Sequence, residues 1–288
     1  MIYIFTALYC EAHAFIRYFK LARDRFNPRF QVFCNEETGV CLTVTGTGPV
    51  TAAAAVGSIC TQYCAGHEDF LVNIGVCADL TREQEPAILY LCNRIVEQTT
   101  GKTFYPDILY RHSFQEGCVV TGARQLNGYP DSGEIAPVRG VCLYDMEAAA
   151  VYQAGAYFFG PHQMTFLKIR SDAGNAAAVS PGQVERLAEQ CLEPIAAYIE
   201  QLCIIGRNEK QRETAWGDKE RNYAEQLCSD MHCSRTMSDS VWQHIRYFSL
   251  AGIDYESVVR ELYDTGELPC RDKREGKRCF EKLKRRLL

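Results

Sequence analysis

Up to about residue 205, short apolar runs alternate with stretches whose apolar positions recur every three or four residues. The runs at 2–7, 40–45, 70–74, 87–91, 118–121, 141–144 and 165–169 have the length of buried strands, and 11–21, 51–63, 146–159 and 183–202 have the period of helices. In 146–159, Met146, Ala149, Ala150 and Ala154 share one face, and Asp145 stands where an N-cap satisfies free backbone N–H groups. Strands interleaved with helices predict an α/β layer fold around a central, largely parallel twisted sheet. Glycine and proline mark the turns, and there is no internal repeat.

The texture changes after residue 206. Residues 207–221 are charged and lack an apolar period, which reads as a linker between a domain at 1–206 and a small helical appendage at 222–288. In the appendage, Tyr255, Val258, Val259 and Leu262 follow helical spacing behind the N-cap candidate Asp254. Phe280, Leu283 and Leu287 repeat the pattern near the end. The turn around Gly252 fits a helix pair, of which a helix-turn-helix is one kind and an ordinary helix hairpin the commoner one.

A chain of 288 residues, 47% of them hydrophobic, can bury a substantial core. The opening run MIYIFTAL has no basic leader and is far shorter than the ~20 residues of a membrane span, so a cytosolic protein without membrane contact is expected. Fifteen cysteines are scattered without a CxxC pair, and reduced thiols serving as small core residues are the expectation. Cys228, His232 and Cys233 would hold zinc only if Cys270 or Cys279 closed a tetrahedron; no second closely spaced pair supports this, and no metal is expected. The net charge of −5 conceals an asymmetry: residues 271–288 hold nine Lys/Arg against three Asp/Glu, +6, leaving −11 for the rest. This basic end is the segment through which a nucleic acid could be bound, although a solvated helix face is the commoner meaning of such a run.

Candidate chemistry gathers at the ends of strands. In VCLTVTGTGPVTAAAAVG a strand ends at Thr45, the turn Gly46-Thr47-Gly48 follows, and Pro49 leads an alanine-rich helix. Glycine lets backbone approach a ligand, and alanine lets a helix sit close to the sheet. Thr51 stands where a dinucleotide fingerprint needs its third glycine, and there is no P-loop, so no nucleotide cofactor is expected. TFLKIRSDAGN runs a strand into Ser171 and Asp172, YDMEAAAV ends one in Asp145 and Glu147, and the first strand gives way to Glu11. One acid in such a place is an ordinary cap. Three, at the ends where α/β sheets bind ligands, point to a shared site.

Together, the first strand with Glu11, the TGTG turn before its alanine helix, LVNIGVCADL, YDMEAAAV and IRSDAGN resemble the nucleoside phosphorylase and nucleosidase superfamily over residues 1–205. The nearest branch is that of the methylthioadenosine/S-adenosylhomocysteine nucleosidases. The resemblance implies a three-layer nucleoside phosphorylase-like fold, a homodimer, and no metal or cofactor. It implies hydrolysis of the N-glycosidic bond of a 5′-modified adenosine (methylthioadenosine, S-adenosylhomocysteine or 5′-deoxyadenosine) to release adenine. By position, it implies that Glu11 activates the attacking water and that Met146 and Glu147 line the ribose, the Glu147 carboxylate accepting hydrogen bonds from its hydroxyls. Ser171 and Asp172 are implied at the purine, with Asp172 the acid that protonates N7. Gly46, Gly48, Gly75, Val76 and Leu126 complete the expected binding residues. Cleavage leaves positive charge on the sugar, which a preorganised carboxylate stabilises, and negative charge on the base. To act as an acid, Asp172 must be protonated near neutral pH, which calls for burial or neighbouring acids.

The chain also departs from that pattern. Phosphorylases of the superfamily carry an arginine two residues before the strand-end glycine; here Asn73 precedes Gly75, which favours hydrolysis. Gly75 is followed by Val76-Cys77-Ala78-Asp79 rather than by serine and small residues, and Gln125 stands where a base-stacking aromatic is common. Phe104, Tyr105 and Tyr110 are candidates for a lid, although aromatics in a loop more often simply pack. Beside a nucleosidase stand a phosphate-dependent phosphorylase of the same fold and a non-catalytic nucleoside-binding protein whose basic tail meets a partner or nucleic acid.

Overall fold

Alternation along the first strand sets the layers. In the computed structural model, which describes all residues except 67, 82–87, 129–139 and 288 and only the backbone of 209–219 and 287, β1 (Ile2–Thr6) is buried throughout. Ile2 and Ile4 pack on one face with Ala12 and Phe15 of α1 (Tyr9–Tyr18) and with Ile195, Ile199 and Leu202. Tyr3 and Phe5 pack on the other face with Ala52, Val56 and Ile59 of α2 (Pro49–Gln62) and the alanines of α3 (Ala148–Gly155). Helices thus cover both faces of an α/β sheet, because successive strand side chains point to opposite sides. These elements belong to the first of two compact units, Met1–Asn208.

The sheet has ten strands and is mixed, which corrects the expectation of a largely parallel one. β1 pairs in parallel with β4 (Val40–Val44) and with β5 (Phe70–Asp79). β4 continues antiparallel into β3 (Gln31–Asn35), and β3 into β2 (Ala22–Asp24). β5 is the reason the sheet does not stay open. Residues 70–73 of one edge pair with β1, whereas Ala78 and Asp79 of the same edge pair antiparallel with β9 (Cys142–Asp145). The opposite edge of β5 pairs in parallel with β10 (Met164–Asp172). β10 pairs antiparallel with β6 (Leu89–Glu97), β6 in parallel with β8 (Gln115–Thr121), and β8 in parallel with β9. The circuit β5–β10–β6–β8–β9 therefore closes on itself, as a strongly twisted sheet can. β7 (Thr103–Phe104) is a short flank of β6.

Several expected boundaries move. The strand expected at 87–91 begins at Leu89, Ala87 lying outside the described residues; the strands at 70–74 and 165–169 run on to Asp79 and Asp172. The helix expected at 183–202 is two: α4 (Pro181–Gln190), capped by the Ser180 hydroxyl, and α5 (Leu192–Asp230). The charged stretch 207–221, expected as a linker, is helical backbone within α5. Glu, Lys, Gln, Arg and Ala favour helix without any apolar stripe, so the absence of a hydrophobic period did not mean the absence of a helix.

The second unit, Glu209–Leu288, has its own core. Ala224, Leu227 and Met231 pack with Val241, Ile245 and Phe248 of α6 (Arg235–Leu250), Val259 and Leu262 of α7 (Tyr255–Asp264), and Phe280 and Leu283 of α8 (Lys273–Leu287). Gly252, at φ +66, turns α6 into α7. α7 shows Arg260, Glu261 and Asp264 to solvent, Glu261 paired with Arg286 of α8, and the last turn of α8 carries Lys284, Arg285 and Arg286. All fifteen cysteines are free. Among the described residues no group of three or more potential ligands could hold a metal, and the His232 ring instead meets the Cys270 carbonyl at 2.9 Å. No helix among them is long and apolar enough to cross a membrane.

Gly276 in α8 faces the backbone of Met231 so closely that a Cβ would collide with its carbonyl oxygen. Alanine favours helix over glycine, yet here the clash dominates, at a cost of ~1–3 kcal/mol typical of overpacking. Gly276→Ala is expected to reduce hydrogen-exchange protection in α7 and α8 while β1 and β5 keep theirs.

Candidate active site

The carboxyl ends of β1, β4, β5 and β10 lie on one side of the sheet, since these strands run parallel. Each end hands over to a turn or helix that carries a polar group inward. After β1, Leu8 caps α1 and Glu11 occupies its first turn. The buried Glu11 carboxylate accepts the Ala7 and Leu8 N–H groups on Oε2, at 2.9 and 2.8 Å, and the Val76 N–H on Oε1 at 2.8 Å. It thereby ties the end of β1 to that of β5. Burial raises its pKa, against the pull of these N–H groups and of Lys168.

After β4, Gly46 and Gly48 take φ +80 and +101, values that L side chains rarely adopt. The Gly48 N–H donates to Oε1 of Glu147 at 2.7 Å. Glu147 itself is the N-cap of α3 and is buried. Burial, then the charge of Asp145, push its carboxyl up from 4.5 to about 7, with Lys168 and the Gly48 N–H opposing.

Asp145, read from the sequence as the N-cap, ends β9 two residues short of that position, which Glu147 occupies, and still reaches the first N–H of α3. Its Oδ2 accepts the Ala148 N–H and the Lys168 ammonium, each at 2.8 Å, while Oδ1 accepts the Thr121 hydroxyl at 2.7 Å. Lys168 lies on β10 and is 1% exposed; its Nζ also donates to Asn73 Oδ1 at 2.8 Å. Burial works against its charge, but Asp145 and Glu147 outweigh that and raise its pKa. At the far end of β10 the pairing with β5 slips between Arg170 and Asp172, a bulge that re-aims side chains. The Ser171 hydroxyl there lies 2.8 Å from Asp172 Oδ2 and 3.2 Å from the Cys77 carbonyl, and the Gly174 N–H donates to Asp172 Oδ1 at 2.8 Å.

Glu11, Glu147 and Asp172 line one cavity of about 200 Å³, with Asp145 beside them. Val76, Leu126, Met146 and Ser171 line it as well. Gln125 and Leu126 reach it because backbone bonds from Ala176 N to Leu126 O and from Gly128 N to Gly174 O tie their loop to the one after Asp172. Three glycines expected to bind substrate do not line the cavity but shape it. Gly46 and Gly48 form the turn that presents an N–H to Glu147, and Gly75 backs Glu11, where a Cβ would stand 3.2 Å from Oε1. The lid candidates lie elsewhere: Phe104 stacks on Tyr152, Tyr110 packs edge-on against Phe70, and Tyr105 is exposed.

Lys168, its bond to Asn73 and the bond of Asp145 to an ammonium are not among the sequence-based expectations. One signal for Lys168 was present, a lone cation inside the apolar run TFLKI, since a buried charge demands partners. The apolar wall of Leu8, Val179, Pro181 and Val184 carried no such signal.

No family model and no curated protein sequence matches the chain. Solved structures do. A mutant MTAN from Helicobacter pylori with 5′-methylthioadenosine in its active site is 14% identical, with a TM-score of 0.54 over 69% of this chain and 98% of that one. A mutant futalosine hydrolase from the same organism is 12% identical, with a TM-score of 0.54 over 72% of this chain and 98% of its own. The Campylobacter jejuni 5′-methylthioadenosine/S-adenosylhomocysteine nucleosidase is 16% identical, with a TM-score of 0.55 over 70% and 97%. At these identities the likeness is one of fold: the chain has the fold shared by these nucleosidases and futalosine hydrolase.

The raised Glu147 carboxyl makes stability depend on pH with a defined sign. Between about 4.5 and about 7 the native state holds a proton that the unfolded chain has already lost, so stability falls as pH rises through that window. Glu11, also raised, contributes with the same sign. The slope reaches ~1.4 kcal/mol per pH unit for each such group. Urea midpoints on either side of the window are expected to drop with pH in the wild type and to drop less in Glu147→Gln, whose amide oxygen can still accept the Gly48 N–H.

Proposed function

We propose that the protein is a purine nucleosidase that hydrolyses the N-glycosidic bond of a 5′-modified adenosine and releases adenine. The observation that carries this reading is the lining of the cavity: Glu11, Asp145, Glu147 and Asp172 converge there, and no Lys or Arg lines it among the described residues. An excess of carboxylates suits a sugar that becomes cationic as its bond to the base breaks. The same excess repels a phosphate dianion, which supports water as the nucleophile. The lysine nearest the nucleophile end, Lys168, is buried and already bonded to Asp145 and Asn73.

In this mechanism Glu11 takes a proton from water as the oxygen bonds to C1′. Its Oε1 accepts one backbone N–H and keeps a lone pair for the task. Glu147, as the anion, accepts hydrogen bonds from the ribose hydroxyls and stabilises the positive sugar, and Met146 packs against it. Asp172, in its neutral form, gives its proton to N7 of the departing purine. The Ser171 hydroxyl, 2.8 Å from Asp172 Oδ2 and 3.2 Å from the Cys77 carbonyl, can donate to either and holds the Asp172 carboxyl in place. The apolar wall of Leu8, Val179, Pro181 and Val184 suits a small apolar 5′ group such as methylthio better than a free hydroxyl.

Incubating the protein with a panel of purine nucleosides, with and without phosphate, is expected to release adenine from 5′-modified adenosines equally in both buffers, as read by chromatography of the free bases. A strict need for phosphate would overturn hydrolysis, and no base release from any nucleoside would overturn the enzymatic reading. Asp172→Asn is expected to lower kcat by ~10²–10⁴-fold, the usual contribution of a general acid.

A further inference from the structure

We propose that Lys168 is a positioning residue of this site: from behind the cavity its ammonium fixes the Asp145 carboxylate and balances the charge of the acids, so that Glu147 can present an anion to the sugar. Glu147's task rests on the nucleosidase reading; the task of Lys168 rests on geometry.

That geometry leaves the ammonium little freedom. Nζ is 2.8 Å from Asp145 Oδ2 and 2.8 Å from Asn73 Oδ1, and the residue is 1% exposed, so no water shares the charge at the surface. The bare Cα of Gly75 keeps Lys168 close to Glu11: the space where a Cβ would stand lies 3.6 Å from Nζ and 3.2 Å from Glu11 Oε1. Glu147 is faced by Asp145 from β9, by Lys168 from β10, by the Gly48 N–H from the start of α2 and by Glu11 from α1. Lys168 is the only cation among these groups, and the thiols of Cys77 and Cys92, facing it from β5 and β6, are held neutral by burial. Without the ammonium, the Gly48 N–H alone among these groups would counter the charges of Asp145 and Glu11, and a protonated Glu147 would offer the ribose a weaker partner. Lys168 is buried and does not line the cavity, so it acts without touching substrate.

The test follows the Glu147 carboxyl by carbon-13 NMR in the unliganded protein, with its resonance identified by its loss in Glu147→Gln. In the wild type the midpoint is expected near pH 7. Lys168→Met is expected to raise it by at least one pH unit, a tenfold gain in proton affinity, while Lys168→Arg keeps it near the wild-type value. Should Lys168→Met not fold, Asp145→Asn removes the anion and is expected to move the midpoint down instead. In turnover, kcat/KM of Lys168→Met at pH 7 should fall at least about fivefold, the loss of anionic Glu147 that a one-unit rise produces, and approach the wild-type value as pH is raised, which a merely structural defect would not do. An unchanged midpoint in Lys168→Met, or in Asp145→Asn where the former does not fold, overturns the proposal. The titration needs no substrate, so a wild type that cleaves no nucleoside would overturn the nucleosidase reading and leave the electrostatic coupling to be judged on its own.

Discussion

Lys168 carries its charge in the interior, and the strand ends around the cavity are arranged to meet it. An ammonium out of water is tolerable only when paired and hydrogen-bonded. Asp145 provides the pair and Asn73 the second acceptor. Asp145 in turn accepts the Thr121 hydroxyl of β8 and the Ala148 N–H that opens α3, and Thr121 accepts the Ala149 N–H at 2.9 Å. One polar network thus joins β5, β8, β9, β10 and α3 where the sheet closes. Removing one partner of such a pair typically costs ~3–5 kcal/mol, a large share of the ~5–15 kcal/mol by which a domain is stable. The network's interest is therefore as much architectural as chemical.

The remaining acids are held by backbone instead of by cations. Three N–H groups hold Glu11, one holds Glu147, and one holds Asp172 alongside the Ser171 hydroxyl. Fixed dipoles can orient a carboxylate without cancelling its charge, and that distinguishes a preorganised anionic pocket from a set of salt bridges. A fold of this kind hosts more than one chemistry, so the functional reading rests on this arrangement and not on likeness of shape.

Much of the layer architecture was legible because apolar runs and helical periods are local. The alternation of Ile2 and Ile4 with Tyr3 and Phe5, and the alanine faces of α2 and α3, state which surface meets which. The acids were legible too, since each stands a few residues beyond an apolar run. Their partners were not. Gly48 and Glu147 are 99 residues apart in sequence, and Lys168 and Asn73 are 95 apart. The extension of β5 to Asp79 was hidden because an aspartate argues against a strand; here it is buried, accepting the Tyr90 hydroxyl at 2.6 Å and the Thr81 N–H at 2.8 Å. Closure of the sheet was hidden for a related reason, because it depends on one strand serving two partners along a single edge.

That closure bears on how the molecule behaves in a crowded solution. The outermost strand of a sheet exposes unpaired N–H and C=O groups on which a stranger's chain can dock, and proteins blunt this hazard with short, charged margins. A circuit of strands has no outermost member. Among the described residues the margins left are β2, three residues that include Arg23 and Asp24, and β7, only two residues long. Ten strands are thus assembled with almost no template for edge-to-edge aggregation.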